Sequence, residues 1–187
     1  MSYIDHLSAL VDTLNNNDLV KSKKIFCKLI ISIDRGKGIN EANEIKDLLL
    51  KVEKNIRSLI VGVDLSGNPE IDELKNFAAA LNDLQQAGYK TTVHLAELDH
   101  NPLDWIEFFE IHQPNRIGHG TFILKHQCHS ERASKALKNI LDLKIPLEIC
   151  ITSNLKTGST LKVEDHHFNE WLKLGHPIII CVIFNLN

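Results

Sequence analysis

Apolar residues follow two alternating patterns along the chain. Stretches with apolar residues at three- and four-residue spacing predict helices, and short, nearly continuous runs of Val, Ile and Leu predict buried parallel strands. The predicted helices cover residues 1–22, 40–55, 70–87, 103–112, 131–143 and 167–174. The predicted strands cover residues 26–33, 59–63, 89–94, 115–118, 146–151 and 176–181. Strands that alternate with helices in this way predict an α/β fold with a parallel sheet.

Polar or glycine-rich clusters follow five of the predicted strands directly. They are Asp34-Arg35, Asp64-Leu65-Ser66-Gly67, His94-Leu95-Ala96-Glu97, Gly118-His119-Gly120 and Thr152-Ser153-Asn154. A doubly wound sheet usually concentrates its site at one crevice, whereas every strand end of a β/α barrel faces the same mouth. The clusters therefore favour a barrel. Without a linker or a break in composition, residues 1–187 are interpreted as a single domain.

Composition and charge narrow the function classes. Of the 187 residues, 43% are hydrophobic and 24% charged, which is typical of a soluble globular domain. A net charge of -3 argues against nucleic acid as a partner. The start of the chain does not resemble a signal peptide, and the longest apolar run, 178–184, is too short to span a membrane. The four cysteines form no C-x-x-C pair, which favours a reducing, cytoplasmic compartment.

The candidate chemistry lies in the clusters after the third and fourth strands. His94 ends one strand and Glu97 follows three residues later, so both can reach the same mouth. A neutral imidazole is a good zinc ligand, and a carboxylic acid can transfer a proton to substrate. The glycines beside His119 would let substrate or bound water approach closely. The competing interpretations are a hydrogen-bonded structural histidine for His94 and a tight turn for His119.

Other polar positions allow more than one interpretation. Gly67 precedes Asn68-Pro69 and fits either a plain turn or close backbone approach to a flat ligand. The segment from Asp34 to Gly38 fits a solvated loop or an anion-recognising edge. Its glycines have neither the Walker nor the dinucleotide-binding spacing, and the cytidine deaminase zinc signature is absent. Structural roles are predicted for His166, His167 and His176.

Taken in order, these motifs resemble the adenosine deaminase family, specifically its adenosine deaminase-like branch, the N6-methyl-AMP deaminases. Val93-His94-Leu95-Ala96-Glu97 and Gly118-His119-Gly120 carry the resemblance. Further matching pieces are Ile30 to Arg35, Val63 to Gly67, Cys150 to Asn154, and His166-His167-Phe168 followed by His176-Pro177. The resemblance implies a zinc-dependent (β/α)8 TIM barrel of the metal-dependent hydrolase type. It implies hydrolysis of N6-methyl-AMP or a similar N6-substituted AMP to IMP plus an amine.

The resemblance also implies roles for individual residues. His94 would ligate Zn2+, and Glu97 would donate a proton to the purine ring nitrogen beside the reacting carbon. His119 would orient the attacking water and help to deprotonate it. Gly67 would contact the purine, and Asp34 would lie at the edge of the nucleotide. The complete enzyme would be a monomer whose partner is a small purine nucleotide; nucleotide and nucleoside substrates both stay open.

Two departures from the family pattern bear on activity. The family's first strand carries a His-x-His pair of zinc ligands, and no such pair lies upstream of Cys27. The family's last strand ends in Thr-Asp-Asp, whereas this chain continues from Cys181 as Val182-Ile183-Phe184-Asn185. We therefore expect about six of eight barrel strands, the third to the eighth, in an incomplete chain. The alternative to a deaminase is an inactive truncated isoform, or a nucleotide-binding or interaction protein of the same fold.

Overall fold

The computed structural model describes residues 3–181 as an alternation of strands and helices. The strands are β1 (Leu29–Asp34), β2 (Ile60–Ser66), β3 (Lys90–Leu95), β4 (Arg116–His119), β5 (Leu147–Ile149) and β6 (Ile178–Ile180). The helices are α1 (Tyr3–Asn16), α2 (Asp18–Lys21), α3 (Gly38–Lys51), α4 (Lys54–Arg57), α5 (Ala78–Gln86), α6 (Pro102–Ile111), α7 (Ile123–His126), α8 (Glu131–Asp142), α9 (Ile151–Lys156) and α10 (Phe168–Lys173). Three 3-10 turns lie at Arg35–Lys37, Leu74–Phe77 and Val163–Asp165.

The strands form one parallel sheet whose order, β1 to β6, is their order in the chain. The register places Asp34 opposite Ser66 and His94 opposite Gly118, so that the carboxyl ends of neighbouring strands lie side by side. Within residues 3–181, β1 pairs only with β2, and β6 pairs only with β5. The sheet is thus an open, six-stranded part of a β/α barrel, as the strand-end clusters predicted.

The core lies between the sheet and the helices. Alternate strand residues are inaccessible to solvent and face α3, α5, α6, α8 and α10; they include Ile33, Val63, Leu65, Val93, Ile117 and Leu147. The intervening strand positions are mostly polar, and they pair across the sheet. Thr92 Oγ1 donates to Glu148 Oε2 at 2.8 Å, and Arg116 Nη1 lies 3.0 Å from Glu148 Oε1. The candidate residues lie on this second, polar face of the sheet or just beyond it, at the carboxyl ends of the strands.

Several predicted boundaries were wrong for identifiable reasons. The helix predicted over residues 1–22 breaks at Asn17, whose side chain accepts hydrogen bonds from two backbone amides and begins α2. The first strand starts at Leu29 instead of residue 26, and the helix predicted from residue 70 starts as a 3-10 turn at Leu74. Two short helices, α7 and α9, were not predicted; α9 includes Ile151, which was assigned to a strand.

The last predicted strand is shorter than expected, because β6 comprises only Ile178–Ile180. Val182 to Asn187, which follow it in the sequence, lie outside the described residues. Each helix within residues 3–181 is too short or too polar to cross a membrane.

Candidate functional site

His94, Glu97 and His119 come together at the carboxyl ends of β3 and β4. The imidazole centroids of His94 and His119 lie 5.1 Å apart, with their planes inclined at 60°. His119 Nε2 lies 3.6 Å from Glu97 Oε1. Most of each of these side chains is hidden from solvent, His119 almost fully, with 4% of its side chain exposed. The arrangement places an acid and two imidazoles around one partly desolvated space.

Unusual backbone conformations aim these side chains. Ala96 has φ +49° and His119 has φ +62°, in the left-handed region that residues other than glycine seldom adopt. Ala96 turns the chain between His94 and Glu97. Hydrogen bonds hold the two turns against each other, since the Gly120 amide donates to Leu95 O at 3.1 Å. Strained backbone of this kind persists where surrounding contacts enforce it, and it concentrates at functional sites.

The glycines that flank His119 make room for protein atoms. A Cβ on Gly118 would lie 3.1 Å from Cγ and Nδ1 of the His94 ring, and one on Gly120 would lie 2.7 Å from Leu147 Cδ2. Gly118 thus lets the His94 ring lie close to β4, and Gly120 lets Leu147 pack against the turn. The two glycines were expected to open space for substrate or water; in the structure the space that their missing side chains leave is taken by His94 at Gly118 and by Leu147 at Gly120.

Asp64 orients His94 from the neighbouring strand. Asp64 Oδ1 lies 3.0 Å from His94 Nδ1, which leaves Nε2 as the nitrogen free to act at the mouth. Carboxylates commonly hold metal-binding histidines in this way. Burial alone would lower the pKa of His94, but the Asp64 hydrogen bond and charge, helped by Glu97 and Glu148, hold that pKa above its ordinary value.

The local environment shifts the pKa values of Glu97 and His119 in opposite directions. Burial raises the pKa of Glu97, and the nearby His94 charge opposes this only in part. Burial, reinforced by the His94 charge, lowers the pKa of His119 to about 4. A carboxyl group with a raised pKa beside a neutral imidazole is an arrangement suited to general acid catalysis near neutral pH.

The described residues do not group enough candidate ligands for a zinc site. His94, with Asp64 hydrogen-bonded to its Nδ1, could supply one ligand, whereas structural and catalytic zinc sites need three or four protein ligands. Among residues 3–181, no three His, Cys, Asp or Glu side chains are grouped so that they could hold a metal ion.

Asp34 and Gly67 meet at the ends of β1 and β2. Asp34 Oδ1 accepts a hydrogen bond from the Gly36 amide at 2.8 Å and begins the 3-10 turn at Arg35. Gly67 has φ +104°, and a Cβ there would lie only 2.2 Å from Asp34 Oδ1. The close backbone approach expected at Gly67 is therefore to the Asp34 carboxylate, and the two residues form one unit on the same rim as His94.

Arg35 fits neither interpretation of the segment from Asp34 to Gly38, although Gly36 and Lys37 beside it are exposed. Arg35 is neither solvated nor free for an anion, because it is only 2% exposed. Its Nη2 donates to Asp72 O, and the guanidinium lies 3.4 Å from the Asp104 carboxylate. Asp104 also accepts the Leu74 amide at 2.8 Å. Arg35 thus ties β1 to the start of α6.

Three residues beside His119 were not predicted as part of the site. Asn154 in α9 is fully buried and lies 3.1 Å from His119 Nδ1 through its Nδ2. His166 Nε2 lies 3.3 Å from Asn154 Oδ1, and His167 Nε2 donates to His119 O at 3.0 Å. The sequence signal for Asn154 was its position in a polar cluster after a strand. For His166 and His167 only structural roles were predicted.

Comparisons with known proteins identify related sequences. Residues 8–181 match the family Adenosine deaminase. The N6-methyl-AMP deaminase of Bos taurus is 34% identical over 155 residues, covering 82% of this chain and 43% of that protein. An adenosine deaminase-like protein of Caenorhabditis elegans is 35% identical over 186 residues, covering 97% of this chain and 44% of its own length. The chain spans about half the length of the curated relatives it matches.

Solved structures show the same fold. The apo N6-methyl-AMP deaminase from Arabidopsis thaliana superposes with a TM-score of 0.77 at 31% identity, covering 97% of this chain and 51% of that one. A structure of the Arabidopsis protein in complex with IMP gives the same values. An amidohydrolase from Burkholderia ambifaria with bound Zn superposes with a TM-score of 0.78 at 21% identity, covering 97% of this chain and 48% of its own; this likeness shows the fold alone.

Proposed function

Because the chain belongs to the adenosine deaminase family, we propose that the residues at the carboxyl ends of β1 to β4 form part of a hydrolytic deamination site for a purine nucleotide. The proposed substrate is N6-methyl-AMP or a similar N6-substituted AMP. Water adds at carbon six of the purine, the bond to the exocyclic amine breaks, and the products are IMP and the amine. Relatives named N6-methyl-AMP deaminase and Arabidopsis structures in complex with IMP and GMP support this choice of substrate.

The observation that carries the proposal is the pairing of Glu97 with His119. Burial favours the protonated form of Glu97, and a protonated carboxyl can donate to the purine ring nitrogen beside the reacting carbon. Protonation there draws electrons from carbon six and makes it open to attack. His119 lies 3.6 Å from Glu97 and would orient the attacking water on the same side of the purine.

We propose His94 as one metal ligand, because its Nδ1 is hydrogen-bonded to Asp64, which leaves Nε2 as the nitrogen that could bind a metal ion. Zinc, when bound in such sites, polarises water and lowers its pKa toward neutrality. The side chains of residues 3–181 do not complete a ligand set for it. The roles assigned to the described residues are therefore limited to proton donation, orientation of water and one metal contact.

Asp34 and Gly67 are proposed to border the nucleotide. Gly67 follows β2, which pairs with β3, and Asp34 ends β1, which pairs with β2. Because Gly67 has no side chain, a flat purine could approach its backbone closely. The proposed substrate-binding rim would then lie next to the pair of Glu97 and His119.

The second candidate function is a non-catalytic purine nucleotide-binding or interaction protein of the same fold. The observation that favours it is the incomplete zinc ligand set among residues 3–181. In that case the chain would bind IMP and AMP-type ligands without releasing amine.

Three measurements on the purified chain separate the two functions. Amine release is assayed with N6-methyl-AMP and added ZnCl2. Zinc per chain is measured by elemental analysis, and IMP binding is measured by calorimetry. Deamination that falls by about 10²–10⁴-fold in Glu97→Gln, but not in the exposed control Glu164→Gln, would establish the enzyme. IMP binding without amine release in either protein would establish the second candidate. Neither binding nor turnover would refute both.

A further inference from the structure

A chain of hydrogen bonds leads from the main chain at the start of α10 to His119. The Phe168 amide donates to His166 Nδ1 at 3.2 Å. His166 Nε2 lies 3.3 Å from Asn154 Oδ1, and Asn154 Nδ2 lies 3.1 Å from His119 Nδ1. Asn154, His166 and His119 are at most 3% exposed. We call these residues, with the Phe168 amide, the histidine relay.

The main chain fixes the direction of the histidine relay. A backbone N–H can only donate, so His166 Nδ1 must accept, and the ring proton of His166 lies on Nε2. That N–H donates to Asn154, which must present its carbonyl oxygen. The amide nitrogen of Asn154 is then turned to His119, and because it can only donate, His119 Nδ1 accepts.

The opposite orientation of the Asn154 amide would place two donors against each other. With the amide turned over, its NH₂ group would face the N–H of His166, leaving buried donors without acceptors, which is unfavourable. The other neighbours of Asn154 Nδ2, Thr121 Oγ1 and Ser159 Oγ at 3.1 Å, do not choose an orientation, since hydroxyls can donate or accept. The orientation of the Asn154 amide is therefore set by His166.

We propose that Asn154 and His166 are positioning residues that hold His119 as the tautomer with its proton on Nε2. His119 then presents an N–H donor, and no lone pair, to Glu97 and to the mouth of the barrel. One consequence rests on the proposed function: in the hydrolytic reaction, His119 orients the attacking water by donating a hydrogen bond to its oxygen. This differs from the role in which the resemblance makes His119 help to deprotonate the water.

The test is long-range ¹H–¹⁵N NMR of the histidine rings in the chelator-treated, ¹⁵N-labelled chain, with the His119 signals assigned by their loss in His119→Gln. The expected pattern has Nδ1 unprotonated and Nε2 protonated. His176 is the internal reference, because its Nε2 donates to Ile145 O at 2.7 Å outside the histidine relay. Nδ1-protonated His119 in the unmodified chain would overturn the proposal.

Asn154→Asp provides the sharper test. A carboxylate accepts from both sides, so His119 should move its proton to Nδ1 while the His176 pattern stays unchanged. Unchanged His119 signals in this variant would also overturn the proposal. If Asn154→Asp does not fold, His166→Gln replaces it: its amide can still donate to Asn154, so the pattern should persist, whereas His166→Phe should lose the single-tautomer pattern.

These signals do not depend on turnover or nucleotide binding. Failure of the proposed function would appear as absent amine release with the His119 pattern intact. Failure of the histidine relay would appear as the wrong tautomer, whether or not the chain deaminates N6-methyl-AMP.

Discussion

Gly67 and Asp34 fit together so closely that a single added carbon would not fit between them. A Cβ on Gly67 would lie 2.2 Å from Asp34 Oδ1 and 3.2 Å from the Arg35 amide nitrogen. The positive φ of Gly67, +104°, adds a conformational requirement to the steric one. The two residues therefore depend on each other, and this dependence can be measured.

Gly67→Ala should destabilise the chain more than Gly158→Ala. Gly158 also has a positive φ, +73°, but a Cβ there would meet nothing within 4 Å. The control should show only the conformational cost, about 1–2 kcal/mol, and Gly67→Ala about 1–3 kcal/mol more because of overpacking. Urea unfolding measures both.

Measuring Gly67→Ala in an Asp34→Ala background tests whether the Asp34 carboxylate causes the extra loss of stability. Removing the carboxylate should reduce the extra cost of Gly67→Ala. Equal losses for the two glycine variants, or no effect of Asp34→Ala, would contradict the steric explanation.

Asp104→Ala should cost about 3–5 kcal/mol of unfolding free energy, because it leaves the buried Arg35 guanidinium without its counter-charge. It also removes the acceptor of the Leu74 amide. Glu110→Ala is the matched control: it removes a carboxylate that binds an exposed arginine, Arg132, at 2.8 Å. Exposed pairs contribute little, so similar losses in the two variants would show that Arg35 does not depend on Asp104.

Asp64→Asn should lower the pKa of His94. The aspartate charge and hydrogen bond oppose the effect of burial, and without the charge burial should dominate. Following the His94 ring by NMR across a pH titration of metal-free protein measures the change. Asp142→Asn, at an exposed carboxylate on α8, serves as control. An unchanged His94 titration in Asp64→Asn would mean that Glu97 and Glu148 hold the charge instead.

His112 should make the fold sensitive to acid. Burial lowers its pKa to about 4, while its Nδ1 donates to Asn82 Oδ1 at 2.7 Å and its Nε2 lies 3.1 Å from Thr91 Oγ1. In the unfolded chain a histidine titrates near pH 6.5. Between these values the unfolded state binds the extra proton, so stability falls as the pH drops from about 6.5 to about 4. The loss is of the order of 3 kcal/mol, and His112 contributes no pH dependence above that window.

His112→Gln should therefore flatten the pH dependence of unfolding between pH 6.5 and 4, by about 1 kcal/mol per pH unit. Denaturant unfolding at several pH values measures the slope. His129→Gln, at an exposed histidine, controls for the substitution itself. Parallel slopes for unmodified and His112→Gln chains would contradict the assignment.

The sequence predicted the alternation of strands and helices and the positions of His94, Glu97 and His119, because both depend on local patterns. Apolar runs mark the buried strands, and parallel strands bring their carboxyl ends to one edge. The histidine relay could not be predicted in this way. Asn154 meets His119 across 35 residues, and this contact requires α9, whose first turn, Ile151-Thr152-Ser153-Asn154, has the composition of a loop.

Gly67 and Arg35 show a second limit of prediction from the sequence. Their residue types suggested ligand contacts, but the sequence did not indicate the protein partners that tertiary packing gives them, Asp34 and Asp104. Which partner a glycine or an arginine meets is decided by the register of β1 against β2 and by the docking of α6. Neither is encoded in a short motif.

The order of the strands has a consequence for how the chain acquires its structure. Each strand from β1 to β5 pairs with the strand that follows it in the chain. Forming each pair therefore closes only the loop that connects two consecutive strands. Short closures carry a small entropic cost and favour rapid folding. Each β/α unit can therefore dock on the exposed edge of the preceding one as it leaves the ribosome, so that the sheet grows vectorially during translation.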